Sequence, residues 1–552
     1  YSSFGALESF EGLENLESIG GNFTLFSDNG LDALESFEGL ENLKSIGGNF
    51  SLYSGNGFDA LKSFKGLENL ESIGGNFSLN SDNGSFDALK SFKGLDCLKS
   101  IGGDFMLYRN RYTSSFDALE SFEGLENLES IGGRFILSSF FKVLKSFKGL
   151  GSLRSIGGDF AFSSYNIMGH IDALESFEGL ESLETIGGSF TLPSSSSALK
   201  SFKGLGSLRN IGGDFTLTSS DYSPAFALES FEGLENLESI GGNFTLSNKN
   251  NPDFMALKSF KGLGSLRSIG GDFSISAIHR SFTALESFEG LGSLKSIGGD
   301  FSLTSMYKTS FSALKSFEGL ENLETISGSF ILATPLNALK FFKGLGSLKN
   351  IRGDFALTSS DAYSFPALES FEGLENLETI GGNFTLFSSN MNGNSSFTVL
   401  KSFEGLSSLR SIGGDFTLTS SDYYSSFDAL ESFEGLENLK SIGGDFYLRC
   451  SSSYYSSSSF NALVSFKGLE NLETIGRDFS LTGGASLNAL VSFEGLENLQ
   501  SVWHISIENC LLLSDFCSLE NAIRNMTGSF KAEGNRYNPT KEMILNGQCY
   551  KR

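Results

Sequence analysis

Tryptophan occurs once in the 552 residues, histidine three times, cysteine five times and proline six times. The histidines, His170, His279 and His504, are far apart and have no recurrent partner. They offer neither a zinc spacing nor a repeated acid–base pair. No phosphate-binding loop or nucleophile elbow occurs, and the plentiful carboxylates are repetitive, so no pair is marked out as acid and base. Positive charge is also short, with 40 Lys and Arg against 65 Asp and Glu, a formal net charge of −25. Such a surface excludes nucleic acid as a partner and repels anionic membrane. No apolar run approaches the roughly 18 to 20 residues of a membrane-spanning helix, so no membrane insertion is expected. The chain opens at Tyr1 without an initiator Met or a signal peptide and is expected to be processed or trimmed.

What is abundant is Gly (66) and Phe (55), at fixed offsets in a repeat. In the first copy Leu7, Phe10, Leu13, Leu16 and Ile19 recur at a step of three, Gly20 and Gly21 follow, and Phe23 and Leu25 continue at a step of two. A step of two is a half-buried strand, whereas a step of three fits neither an α-helix nor a straight strand. It fits a chain winding around a core through short extended segments and bends, with a period of about 25 to 33 residues. The fold class expected is all-β: an elongated right-handed β-solenoid of about 18 coils, on the order of 85 Å long at the strand spacing. The Gly pair is expected to supply a corner needing positive φ or close backbone approach. Phe10, Phe37, Phe64 and Phe92 should form one aromatic ladder, Phe23, Phe50, Phe77 and Phe105 a second, and Phe58, Phe86, Phe116 and Phe427 a less regular third.

The repeats come in an acidic and a basic flavour, as at Leu174–Glu184 and Leu199–Arg209. From Ala118 to about Phe301 they strictly alternate at the first two charged positions, as in Glu120, Lys145, Glu175, Lys200, Glu229, Lys258, Glu286. Stacking would set each Glu one strand spacing from a Lys, which disfavours slipping by one coil; a plain solvated face is the other reading. The alternation lapses at Val464 and Val491, an outward apolar pair expected to serve as a contact site or to pack under a cap.

Between copies lie Ser/Tyr-rich spacers of varying length, including Tyr423, Tyr424, Tyr454 and Tyr455. Length variation marks them as edge loops, where repeat proteins often bind. Asn22, Asn49, Asn76, Asn243 and Asn383 open glycosylation sequons that arise from the repeat itself, and Asn83, Asn394 and Asn525 open others. Arg352-Gly353-Asp354 is one substitution in the Gly-Gly-Asp corner rather than an adhesion motif. No cofactor is expected, except that the loop acids Asp28, Asp82 and Asp221 could take Ca²⁺, although none completes a ligand spacing. Residues 508–552 leave the repeat and read as a small helical cap on a 1–507 solenoid. Of the cysteines, Cys517 with Cys549 is the expected pair; Cys97, Cys450 and Cys510 are unassigned, and free buried thiols are the alternative.

The pattern Leu-x-Ser-Phe-x-Gly-Leu-x-x-Leu-x-Ser-Ile-Gly-Gly-x-Phe-x-Leu, over about Ala6 to Ile507, resembles the receptor L-domain type of leucine-rich β-solenoid. The tail from Asp515 through Tyr537-Asn-Pro-Thr540 to Cys549 resembles the C-terminal caps of secreted bacterial surface repeat proteins. Phe in place of Leu and near-identical copies depart from receptor L domains. The resemblance implies a non-enzymatic, extracellular or cell-surface protein: a structural or adhesive rod, self-associating or engaging surface proteins and glycans, as in a filament. The other reading is a recognition module that binds glycan or protein through the Ser/Tyr loops.

Overall fold

The computed structural model describes residues 7–28, 30–31, 33–81, 85–109, 116–164, 167–168, 171–193, 198–218, 227–248, 254–277, 282–305, 310–359, 365–388, 397–420, 427–450, 460–483 and 487–551. The chain forms two compact units, Tyr1–Gly270 and Gly271–Arg552. Each is a parallel β-solenoid built from the same coil.

A coil carries a two-residue strand, a glycine corner and a longer strand: Ser45–Ile46 and Phe50–Ser54 in the first unit, Ser296–Ile297 and Phe301–Ser305 in the second. Both strands pair in parallel with the same residues of the next coil. Ser45 lies beside Ser72, and Phe50, Ser51 and Leu52 beside Phe77, Ser78 and Leu79. In the second unit Phe384, Thr385 and Leu386 lie beside Phe416, Thr417 and Leu418. In-register pairing of a repeat sets like over like, one strand spacing of about 4.8 Å apart.

The step of three has a specific cause. The Leu40 N–H donates to Phe37 O (3.2 Å) and the Leu43 N–H to Leu40 O (3.0 Å). Each apolar residue therefore closes one β-turn and opens the next, so apolar side chains face in and turn apices face out. Gly39 sits third in the first turn with φ +102°, where a Cβ would lie 2.1 Å from Phe10 O. A type II turn requires positive φ at that place. The same column is positive from Gly12 to Gly495. Positive φ thus belongs to the Glu/Lys-Gly-Leu glycine, and the Gly-Gly corner serves close approach instead. A Cβ on Gly47 would lie 2.6 Å from Gly20 O, and one on Gly48 would lie 2.1 Å from Asn22 Oδ1.

Leu34, Phe37, Leu40, Leu43, Ile46, Phe50 and Leu52 are each at most 1% exposed, and the coils that follow repeat the set. Each such side chain contributes about 1.5–3 kcal/mol by leaving water. The three phenylalanine ladders are present. Phe37 stacks on Phe64 (5.5 Å, 3°), Phe50 on Phe77 (5.2 Å, 4°) and Phe58 on Phe86 (5.2 Å, 16°). The first two ladders meet each other tilted, as at Phe64 and Phe77 (5.8 Å, 53°). In the second unit the third ladder runs through Phe397, Phe427 and Phe460 at 4.8 Å spacings. These three have φ of 55–60°. A left-handed backbone costs a bulky residue roughly 1–2 kcal/mol. Stacking returns about 0.5–1.5 kcal/mol per pair, and burial of the ring more. The strain falls where the chain re-enters the coil from a spacer.

At the C-terminus Phe530–Glu533 pairs in parallel with Ile505–Glu508 and adds one more rung. Phe516 follows Phe493 in its ladder (5.4 Å) and meets Tyr537 edge-on. Two short helices, Glu520–Asn525 and Lys541–Leu545, close over it, the second capped by Thr540 Oγ1. A disulfide joins Cys517 to Cys549.

Candidate functional site

The outward positions carry charge in columns that run from coil to coil. Lys145 pairs with Glu175 (2.8 Å), Lys200 with Glu229 (3.2 Å) and Lys261 with Glu232 (2.9 Å). In the second unit Lys315 pairs with Glu286 (3.1 Å) and Lys340 with Glu369 (2.8 Å). The hydrogen bond that the Lys145 ammonium donates to Glu175 holds it above its ordinary range. A third column pairs Lys44 with Glu17, Lys99 with Glu71, Arg154 with Glu184 and Arg209 with Glu238. Its alternation runs unbroken through Glu17, Lys44, Glu71, Lys99, Glu129, Arg154, Glu184, Arg209, Glu238 and Arg267. Alternation at the first two charged positions does not by itself disclose this longer column. The cross-coil pairs form, and they are also solvated, so each is worth about 0–1 kcal/mol.

The residue after Gly-Gly forms a second system. Asn22 Oδ1 accepts the Asn49 N–H, Asn49 Oδ1 the Asn76 N–H and Asn76 Oδ1 the Asp104 N–H, each at 2.8 Å. Asp300 Oδ1 accepts the Ser329 N–H (2.6 Å), and Ser329 Oγ accepts the Asp354 N–H (3.0 Å). Asn, Asp and Ser are interchangeable here because each presents an acceptor. Five sequon asparagines and Asp354 of the Arg-Gly-Asp triplet therefore occupy the same structural position in the coils of their respective units. At Asp104, burial alone would raise the carboxyl, but the side-chain and backbone hydrogen bonds of Arg134 and its charge outweigh it and leave the group below its ordinary range.

The extra Glu and Asn of the acidic flavour have their own partners. Glu14 accepts the Gly12 N–H (2.8 Å), which holds its carboxyl low, and Asn42 Nδ2 donates to Glu14 O one coil away (2.6 Å). The hollows on this face are shallow, and one of about 650 Å³ is lined by Glu178, Glu181, Lys203, Gly206, Glu232 and Glu235. Among the described residues no group of three His, Cys, Asp or Glu is placed to hold a metal. Asp28 is exposed; Asp82, Asp221, Tyr423, Tyr424, Tyr454 and Tyr455 lie outside the described residues, as do His170 and His279. Cys97 and Cys510 are thiols, and the side chain of Cys450 is not described. No helix among the described residues is long and apolar enough to cross a membrane.

Val464 and Val491 are 48% and 47% exposed on the outer face. They are consecutive in their column: the Val491 N–H donates to Val464 O, and the Ser514 and Asp515 N–H groups to Val491 O. Leu511, Leu512 and Tyr550 are exposed in the segments that follow.

Among the described residues the largest departure from the repeat is at the last corner, where no sequence expectation had been placed. The second glycine of the corner becomes Arg477 and then Trp503 in consecutive coils, for the Arg477 N–H donates to Gly444 O, the Trp503 N–H to Arg477 O and the Gly528 N–H to Trp503 O. Trp503 is 53% exposed, and its ring lies 4.8 Å from that of His504. His504 takes the ladder place after Asp445 and Asp478. Its Nδ1 accepts the Ser529 N–H (2.7 Å) and lies 2.9 Å from Ser529 Oγ. A Cβ on Gly528 would meet that ring at 2.4 Å. Asp478 Oδ1 is buried without a hydrogen-bond partner. The signal available in the sequence was the single tryptophan, standing where other coils have glycine.

No family model and no curated relative matches the chain. Among solved structures it is similar to a leucine-rich repeat protein from Bacteroides ovatus, at 15% identity over 95% of this chain and 94% of that one, with a TM-score of 0.16. A likeness at that level carries no argument, and the solenoid assignment rests on the strand registers.

Proposed function

We propose that the chain is a secreted, non-catalytic structural or adhesive protein of an extracellular surface, one that assembles with copies of itself as a filament does. The observation that carries this reading is where the recurring polar groups go: the Glu–Lys columns and the Asn/Asp ladder are bonded to the neighbouring coil rather than gathered at a pocket. Residues 1–507 supply the repetitive face and 508–552 close it. The Cys517–Cys549 disulfide fits an oxidising compartment, as does the resemblance to receptor L domains and surface repeat proteins. Val464 and Val491, exposed where other coils carry charge, are the proposed contact between copies.

The test is sedimentation and electron imaging of the purified chain, with Val464→Glu/Val491→Lys as the variant. Ordered polymers that the double variant dissolves support the reading, and monomer at every concentration overturns it. A second reading, recognition of glycan or protein through Tyr423, Tyr424, Tyr454, Tyr455 and their neighbours, draws on the variable spacer lengths. Monodisperse monomers with a saturable ligand lost on shortening those spacers would favour it.

A further inference from the structure

We infer that the corner formed by Trp503, His504 and Arg477 is a carbohydrate-binding site that takes one pyranose ring of a glycan. This goes beyond the scaffold reading and does not depend on self-association.

The corner column is glycine in coil after coil because successive turns approach too closely for a side chain. Replacing glycine by arginine and then tryptophan, in consecutive coils, is not something the stack needs. Trp503 does not serve the core, since more than half of it is in water. An exposed indole leaves a large apolar face hydrated, at a cost that a ligand removes on binding.

The neighbours decide which ligand. His504 is held in place: the Ser529 N–H bonds to Nδ1, and Gly528 leaves just enough room for the ring. A nitrogen that accepts a backbone N–H carries no proton, so the neutral ring bears its hydrogen on Nε2, a donor not used by that bond. Arg477 is exposed one coil away and brings a planar fork of donors. Asp478, which follows Arg477, is half-buried and its unpartnered Oδ1 is itself buried, so it is not counted among the groups offered to a ligand. An apolar platform edged by a fixed donor and a planar donor fork matches an amphipathic ring. A pyranose has a C–H face that meets the negative face of the indole and a rim of hydroxyls that both donate and accept. A purely apolar ligand would leave the polar groups unpaired, which disfavours it.

Trp503 is the only tryptophan, so its emission reports on this corner alone. The experiment titrates the full chain with cellohexaose, mannohexaose, N-acetylchitohexaose and hexagalacturonate, reading tryptophan fluorescence and, in parallel, calorimetry. At least one probe should shift the emission saturably. Trp503→Ala should abolish its heat of binding, and Arg477→Ala should weaken it at least tenfold. The Arg352→Ala control, at a corner without tryptophan, should bind as the parent does. Circular dichroism melting of each variant identifies any that fails to fold, and Trp503→Phe, which keeps a ring, should retain partial affinity. Emission unmoved by all four probes up to millimolar concentration overturns the proposal, as does binding that survives in Trp503→Ala. Sedimentation of the same samples reads the scaffold reading separately, so either can fail alone.

Discussion

At the residue scale, the repeat is held by positions that look alike in sequence and differ in physical demand. Gly66 and Gly151 are both repeat glycines. Gly66 has φ +98° and would place a Cβ 2.0 Å from Phe37 O, whereas a Cβ on Gly151 meets nothing within 4 Å. Gly66→Ala should cost at least about 2 kcal/mol, and Gly151→Ala should be neutral or up to about 1 kcal/mol stabilising. Denaturant midpoints of the two variants check this. The ladder makes a parallel prediction. Asn49→Asp keeps the acceptor for the Asn76 N–H and should be tolerated, while Asn49→Leu strands that donor and should cost about 1–3 kcal/mol. Asp104 adds a pH dependence. Its carboxyl is depressed in the fold, so its contribution is present above the unfolded carboxylate range and is lost as pH falls through the folded value. Hydrogen exchange at the Arg134 amide should quicken over that acid range, and Asp104→Asn, which keeps an acceptor but does not titrate, should remove the dependence.

At the element scale, much of the coil was legible. The switch from a step of three to a step of two located the long strands at Phe23, Phe50 and Phe77, because inward positions must repeat where like stacks on like. What stayed hidden was the device behind the step of three. Tandem turns are defined by hydrogen bonds from Leu40 to Phe37 and from Leu43 to Leu40, and apolar spacing does not display them. Of the two roles expected for the Gly-Gly pair, positive φ or close backbone approach, the pair serves close approach, and positive φ falls on the Glu/Lys-Gly-Leu glycine. The ladder role of Asn49 was equally invisible, since a sequon and a side-chain acceptor are spelled alike. The third charged column was readable but overlooked, because its basic residue varies between Lys and Arg. Charge order predicts a small effect of definite sign. Lys200→Glu would set three carboxylates in a row with Glu175 and Glu229 and should cost about 0.2–1 kcal/mol. Adding Glu229→Lys should recover part of it, and about 1 M salt should erase most of the difference. In the cap, replacing Cys517 and Cys549 by Ser should cost about 2–4 kcal/mol and expose residues 508–552 to protease first.

At the scale of the whole molecule, the candidate sites were legible in the departures from the repeat and not in the repeat. Val464 and Val491 stood out because apolar side chains replaced charges, and both are outward. Trp503 carried as strong a signal, yet a search for motifs passes over a single residue whose meaning depends on the glycines stacked around it. Net charge sets the terms of assembly. At −25, copies repel one another at low ionic strength. Association through the valine pair should therefore strengthen as salt is raised, whereas contacts made by the charged columns would weaken. The most direct measurement is the sedimentation profile of the intact chain across a salt series, with electron imaging of the same samples. Polymers that grow with concentration and with salt, and that Val464→Glu/Val491→Lys abolishes, are the predicted result. A single 59.5 kDa species at every concentration and salt level would contradict the account.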